Sequence, residues 1–209
     1  MKNLGNVAII GDSYSTFAGY IPENYRCYYG TERTSALKTV DETWWYDLLE
    51  RTGSRLILND SFSGSTICNT CRDFLSVDTS FVSRVDSYIE KNYFAKNEIN
   101  TVIIFGGTND SWIDSPIGEI IYSDWNEDNL KAILPAFSYI INRLKTTLPT
   151  VRIITVVNCD LKKEIIENLP VISEHYGVDH VVLSQIDKID LHPSALGMKQ
   201  ISDQIFNTI

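Results

Sequence analysis

NVAIIGDSYS, residues 6–15, couples an uncharged apolar run, Val7 to Ile10, to a break at Gly11 and then to Asp12, Ser13 and Ser15. A short run of Val and Ile with no alternation fits a parallel strand buried on both faces. A strand that stops at Gly-Asp-Ser puts a small hydroxyl at the carboxyl end of a sheet, the edge where open α/β folds bind ligands. Ser13 is therefore the first candidate nucleophile. Asp12 and Ser13 equally suit a cap or turn, and this stretch alone does not separate the two readings.

Outward from this stretch the chain alternates. Residues 16–40 carry Tyr14, Phe17, Tyr20, Tyr25, Tyr28 and Tyr29 in or beside them, with Pro22 and Gly30 as breakers, and predict a long aromatic loop. Asp41-Glu42-Thr43 signals a helix start, Trp44, Trp45, Leu48 and Leu49 follow at helical spacing, and Gly53 supplies the stop. Further strands are predicted over 55–59, 101–105, 151–157 and 179–183, and helices over 78–92, 126–147, 161–175 and 195–208, with Pro135 as a kink. Residues 60–69 and 111–125 read as loops. Five strands alternating with helices imply one α/β domain over residues 1–209, a parallel sheet covered on both faces.

Composition narrows the function. A net charge of −9 argues against a nucleic-acid surface or anionic lipid, and no apolar run approaches the ~20 residues needed to span a bilayer. MKNLGNVAII reaches Gly11-Asp12 too soon for a signal peptide. Taken as the native start it predicts a cytoplasmic protein; a trimmed secreted or periplasmic protein would present the same residues. Cys68 and Cys71 form a lone C-x-x-C with no second pair or nearby His, so these thiols and Cys27 and Cys159 read as structural. Nothing calls for a metal or cofactor.

Three strands in succession end in polar, Gly-bearing loops, at Ser13, Gly64 and Asn109, and Asp187 to Pro193 precedes the last helix. In a parallel sheet these loops emerge at one edge and can converge. Gly11-Asp12-Ser13-Tyr14-Ser15, Gly64, Gly107-Thr108-Asn109-Asp110 and His192-Pro193 together resemble, in order and over nearly the whole chain, the four blocks of the SGNH/GDSL hydrolase family. The resemblance implies a flavodoxin-like three-layer α/β/α sandwich and a serine esterase or acyl-hydrolase activity. It implies Ser13 as nucleophile, His192 as general base, and the N–H groups of Ser13 and Gly64 with the Asn109 amide as oxyanion hole. The chemistry agrees: a serine hydroxyl needs a neighbouring base, and a neutral imidazole serves near pH 7.

One position departs. The family places its acid three residues before the histidine, where this chain has Ile189. Asp190, the nearest carboxylate, is the expected acid; Asp187, or a backbone carbonyl in a Ser–His dyad, are the alternatives. Tyr20, Tyr25, Trp112 and Trp125 offer flat apolar surface, so the expected partner is a small-molecule or glycan ester, foremost a short O-acyl carbohydrate. A lipid or thioester acyl hydrolase and an inert carbohydrate-binding protein on the same fold stay open. A phosphate-binding role ranks low, since no strand ends in a phosphate-loop pattern. Oligomeric state is left open.

Overall fold

The computed structural model describes residues 2–209. Its centre is a five-stranded, all-parallel sheet: β1 (Asn6–Gly11), β2 (Arg55–Ser61), β3 (Thr101–Gly106), β4 (Arg152–Val157) and β5 (Asp179–Val182) in the order β2-β1-β3-β4-β5. Five longer helices cover it: α1 (Trp44–Thr52), α2 (Phe81–Glu90), α5 (Ile133–Thr147), α6 (Lys163–His175) and α7 (Ala195–Thr208). Two shorter ones, α3 (Tyr93–Lys96) and α4 (Thr108–Trp112), complete the set.

The pleat of β1 and β3 divides the core. Ala8, Ile10, Val102 and Ile104 pack with side chains of α2, α5 and α6. Val7, Ile9, Ile103 and Phe105 pack with Trp44, Trp45, Leu48, Met198, Ile201 and Ile205 of α1 and α7. The result is the expected three-layer α/β/α sandwich. A one-residue slip of β1 would exchange both faces at once. Each fully buried Ile is worth roughly 1.5–3 kcal/mol, so the register is firmly held. In that register Gly11 lies beside Ser61 of β2 and Phe105 of β3, which aligns the carboxyl ends of the three strands that carry the site.

Differences from the expected elements have local causes. The helix expected over 126–147 begins only at Ile133, after a 3-10 turn at Asn129–Lys131, and Pro135 falls in its first turn. There the missing N–H has no intrahelical acceptor to lose, so the expected interior kink is replaced by a helix start. The helix expected from residue 78 starts at Phe81 because Ser80 caps it, its hydroxyl accepting from Ser83 N at 3.1 Å. Residues 108–112, read as loop, form α4 after Gly107 turns the chain with φ +92°. Lys188–Ile189 (β6) and His192–Pro193 (β7) pair as a small antiparallel hairpin where only a loop was expected.

Candidate active site

β1 ends at Gly11 because nothing larger fits: a Cβ there would stand 2.5 Å from Ser61 Oγ and 2.8 Å from Ser15 Cβ. Asp12 then caps a 3-10 turn, Ser13–Ser15, its Oδ1 accepting from Tyr14 N at 3.0 Å. The turn is locked from below. Ser15 O accepts from Trp45 Nε1 at 3.0 Å and from Asn59 Nδ2 at 2.9 Å, and Trp44 Nε1 donates to Ser15 Oγ at 3.2 Å. The second oxygen of Asp12 is buried without a partner among the described residues. Burial first, and the neighbouring Asp110 charge with it, push this carboxyl up to about 7 against the downward pull of the Tyr14 N–H. The turn holds Ser13 fixed at the sheet edge.

His192 reaches Ser13 from the far end of the chain. Its Nε2 lies 3.0 Å from Ser13 Oγ across 179 residues of sequence, and its Nδ1 lies 3.1 Å from the backbone carbonyl of Asp190. A carbonyl only accepts, so Nδ1 carries the hydrogen and Nε2 presents its lone pair to the serine hydroxyl. The hairpin makes this possible. Ile189 pairs with His192, and the two residues between, Asp190 (φ +49°) and Leu191 (φ +68°), are both left-handed, the pattern of a type I′ turn. That turn bends the Asp190 carbonyl back under the imidazole. Tyr14 Oη fixes it by donating to Leu191 O at 2.7 Å, and Tyr29 Oη donates to Pro193 O at 2.8 Å.

The carboxylate expected at Nδ1 is therefore absent from that position. Asp190 supplies its peptide oxygen, and its side chain is on an exposed residue at the hairpin tip. Asp187 is committed elsewhere: its Oδ2 accepts from Ser194 Oγ, and Ser194 caps α7 by accepting from Gly197 N at 3.2 Å. Tyr28 stacks on the imidazole, with 3.7 Å between ring centroids and 12° between planes. Burial holds His192 below its ordinary value of 6.5; the Asp190 carbonyl opposes this, and the charges of Lys188 and Arg72 add to it.

Hydrogen-bond donors converge on the same cleft. Gly64 sits at φ +96°, a conformation that favours glycine, and lines the cleft with Ser13, Asn109 and His192. Asn109 Nδ2 gives one hydrogen to Ser65 O at 2.9 Å, leaving its second N–H unspent. The N–H groups of Ser13 and Gly64 have no acceptor among the described residues. Asp110 braces the arrangement, accepting from Ile67 N at 2.8 Å and from Cys68 N and Sγ, each at 3.2 Å. The cavity above these groups is about 170 Å³. A hydroxyl bonded to a correctly tautomeric imidazole, beside unspent N–H donors, can carry out acyl transfer.

Residues 5–209 match the GDSL-like lipase/acylhydrolase family. The chain belongs to that family. Two solved structures assigned as GDSL-like lipases are similar throughout. That from Bacteroides uniformis is 35% identical with a TM-score of 0.89, covering 98% of this chain and 95% of the other. That from Bacteroides ovatus is 36% identical with a TM-score of 0.87, covering 98% and 97%. A family 3 carbohydrate esterase of Clostridium thermocellum shares the fold at 18% identity and a TM-score of 0.59, over 97% of this chain and 94% of that one. No curated protein matches.

For a GDSL-like hydrolase, the aromatic residues distribute unevenly. Of the four expected to flank substrate, only Trp112 lines the cleft, and it is 39% exposed. Tyr25 packs on Phe62, Trp125 on Tyr139, and Tyr20 on Trp45 and Phe17. Those three serve loop packing. Tyr28, Arg26, Arg33 and Arg72 also line the cleft, and sequence reasoning missed the three arginines. They lie on two irregular loops, where no periodicity indicates which side chains meet.

Proposed function

We propose that this family member is a serine esterase of short-chain esters working through an acyl-enzyme on Ser13, with O-acylated carbohydrate as the favoured substrate class. The observation that carries the reading is the 3.0 Å contact of Ser13 Oγ with an imidazole whose other nitrogen is tied to a carbonyl. In the proposed sequence Ser13 Oγ attacks the acyl carbon while its proton passes to His192 Nε2. The carbonyl oxygen becomes an oxyanion facing the N–H groups of Ser13 and Gly64 and the free N–H of Asn109. The ester C–O bond then breaks, and His192 returns the proton to the leaving alkoxide. Water repeats the two steps on the acyl-enzyme. Preorganised donors of this kind are each worth about 3–4 kcal/mol in the transition state.

A cavity of about 170 Å³ supports a small acyl group, and the exposed Trp112 offers an apolar face to a sugar ring. The test is hydrolysis of p-nitrophenyl acetate, butyrate and octanoate beside acetylated oligosaccharides. Acetate is expected to exceed octanoate by about tenfold or more in kcat/KM. A preference for octanoate would replace the short-chain reading with a lipid one.

The role of Asp190 is separately testable. Where a carboxylate orients the histidine, removing it costs about 10⁴ in kcat. Because the peptide oxygen does that work in this reading, Asp190→Asn is expected to keep kcat within about threefold. Its acid limb in kcat/KM stays below pH 6.5, since burial holds His192 in the neutral form to lower pH. A loss of 10³ or more would restore the side chain as the acid.

A further inference from the structure

Arg26, Arg33 and Arg72 line the cleft that holds Ser13 and His192, and no carboxylate shares that lining. This is unusual in a chain of net charge −9. Of the arginines outside the cleft, Arg51, Arg84, Arg143 and Arg152 are in ion pairs, and among the described residues Arg55 stands alone at an exposed position. None of the three cleft arginines is in an ion pair among the described residues. Aromatic rings support two of them instead, Arg26 over Phe74 at 4.6 Å and Arg72 over Trp112 at 5.8 Å. A cation–π contact of this kind does not neutralise the guanidinium and leaves its N–H groups to bind something else.

The arginines are also close to the reacting centre. A Cβ placed on Gly64 would stand 3.7 Å from both Arg26 Nη1 and Arg72 Cδ. Arg72 Nε is buried and makes no hydrogen bond among the described residues, an unfavourable state for a charged group left unpartnered. Burial lowers Arg26, and the like charges of Arg33 and Arg72 lower it further, so Arg26 is repelled by both. Packing alone gives no reason to hold three unpaired guanidiniums together.

We infer that the cleft takes an ester whose own molecule carries an anionic oxyacid group, a carboxylate, sulfate or phosphate, held by Arg26, Arg33 and Arg72 beside the scissile bond. A guanidinium fork matches two oxygens of such a group at once. A positive cleft in a negative body would also draw an anionic ester inward against the general repulsion. The inference rests on the ester-cleaving reading of the same cleft and specifies its substrate class.

The test compares esters of matched shape. 4-Carboxyphenyl acetate and 4-sulfophenyl acetate set against 4-carbamoylphenyl acetate put the charge on the alcohol side. Mono-p-nitrophenyl succinate against p-nitrophenyl butyrate puts it on the acyl side. On at least one side kcat/KM is expected to favour the anion by about tenfold or more at low salt, and less at high salt. Arg33→Gln, an exposed position, and Arg72→Gln are expected to erase that ratio. A ratio near one on both sides in the wild type, or a ratio unchanged in both variants, overturns the inference. Equal loss on charged and neutral esters also overturns it, because the arginines would then serve the oxyanion. Binding keeps this test apart from the esterase reading. Titration of Ser13→Ala protein, whose slow residual turnover leaves the ester intact over the measurement, with the alcohol-side pair and with the acyl-side pair reads anion preference, and equal affinities within both pairs overturn the inference. Absence of Ser13-dependent hydrolysis of any ester sinks the esterase reading alone.

Discussion

Ser13→Ala is expected to lower kcat for p-nitrophenyl acetate by about 10⁴–10⁶, and His192→Ala by a similar factor, while both proteins stay folded. The reason is geometric. At 3.0 Å the two side chains act as one unit: without the imidazole the hydroxyl keeps its proton, and without the hydroxyl there is no atom to acylate. The double variant is therefore expected to be no slower than the worse single one, which pre-steady-state and steady-state assays of all three proteins would measure. A residual rate well above that of the uncatalysed reaction is expected in each variant, because the proposed donors at residue 13, Gly64 and Asn109 would still stabilise the oxyanion formed when water attacks the ester carbonyl. A Ser13→Ala protein within tenfold of wild type would remove Ser13 as nucleophile. Strictly additive losses would mean that the contact with His192 plays no part in the reaction.

The sheet and the order of its strands' polar ends were legible because both are written locally. An uncharged run such as Val7–Ile10 followed by a break at Gly11 has few other uses, and Gly107-Thr108-Asn109-Asp110 repeats the pattern on β3. The hairpin that orients His192 was not legible. Its strands are two residues each, and its turn residues are Asp190-Leu191 where the usual signal is Asn-Gly. Leucine at φ +68° is an outlier held by its surroundings, here by Tyr14 Oη on its carbonyl. The residue that makes the turn tenable thus lies 177 positions away. The same distance hid the meaning of Asp190. Sequence spacing ranks carboxylates, whereas the fold brought a peptide oxygen of the same residue to the imidazole. The cleft arginines were invisible for a related reason: residues 16–40, which hold Arg26 and Arg33, and the irregular stretch around Arg72 carry no period from which a shared face can be read.

Arg84→Met is expected to destabilise the fold by roughly 3–5 kcal/mol at pH 7, and to lower kcat as well. Arg84 is on α2 and only 3% exposed. Its guanidinium ties together the ends of the elements that carry the site. Nη1 pairs with Asp60 Oδ2 at 2.6 Å, at the end of β2. Nη2 donates to Gly11 O at 3.0 Å and to Ser65 Oγ at 3.2 Å, and Nε donates to Thr79 O at 3.0 Å. Gly11 O is two residues from Ser13, and Ser65 adjoins Gly64, so one side chain sets the spacing between the hydroxyl and the N–H donors of the proposed mechanism. Removing it leaves the Asp60 carboxylate, 0% exposed, with no cation beside it among the described residues and only tyrosine hydroxyls, Tyr88 Oη at 3.1 Å and the neighbouring Tyr25, for compensation. For a chain of this length each kcal/mol is worth about 2–4 °C, so the midpoint is expected to fall by roughly 6–20 °C. Asp60→Leu in the Arg84→Met background is expected to recover much of the stability, since the uncompensated charge goes, but little of the activity, since the bonds to Gly11 and Ser65 do not return. Denaturant melts and ester turnover on the three proteins separate the two effects. An Arg84→Met protein as stable as wild type would mean that water reaches Asp60 and that the strand ends hold their spacing without the guanidinium.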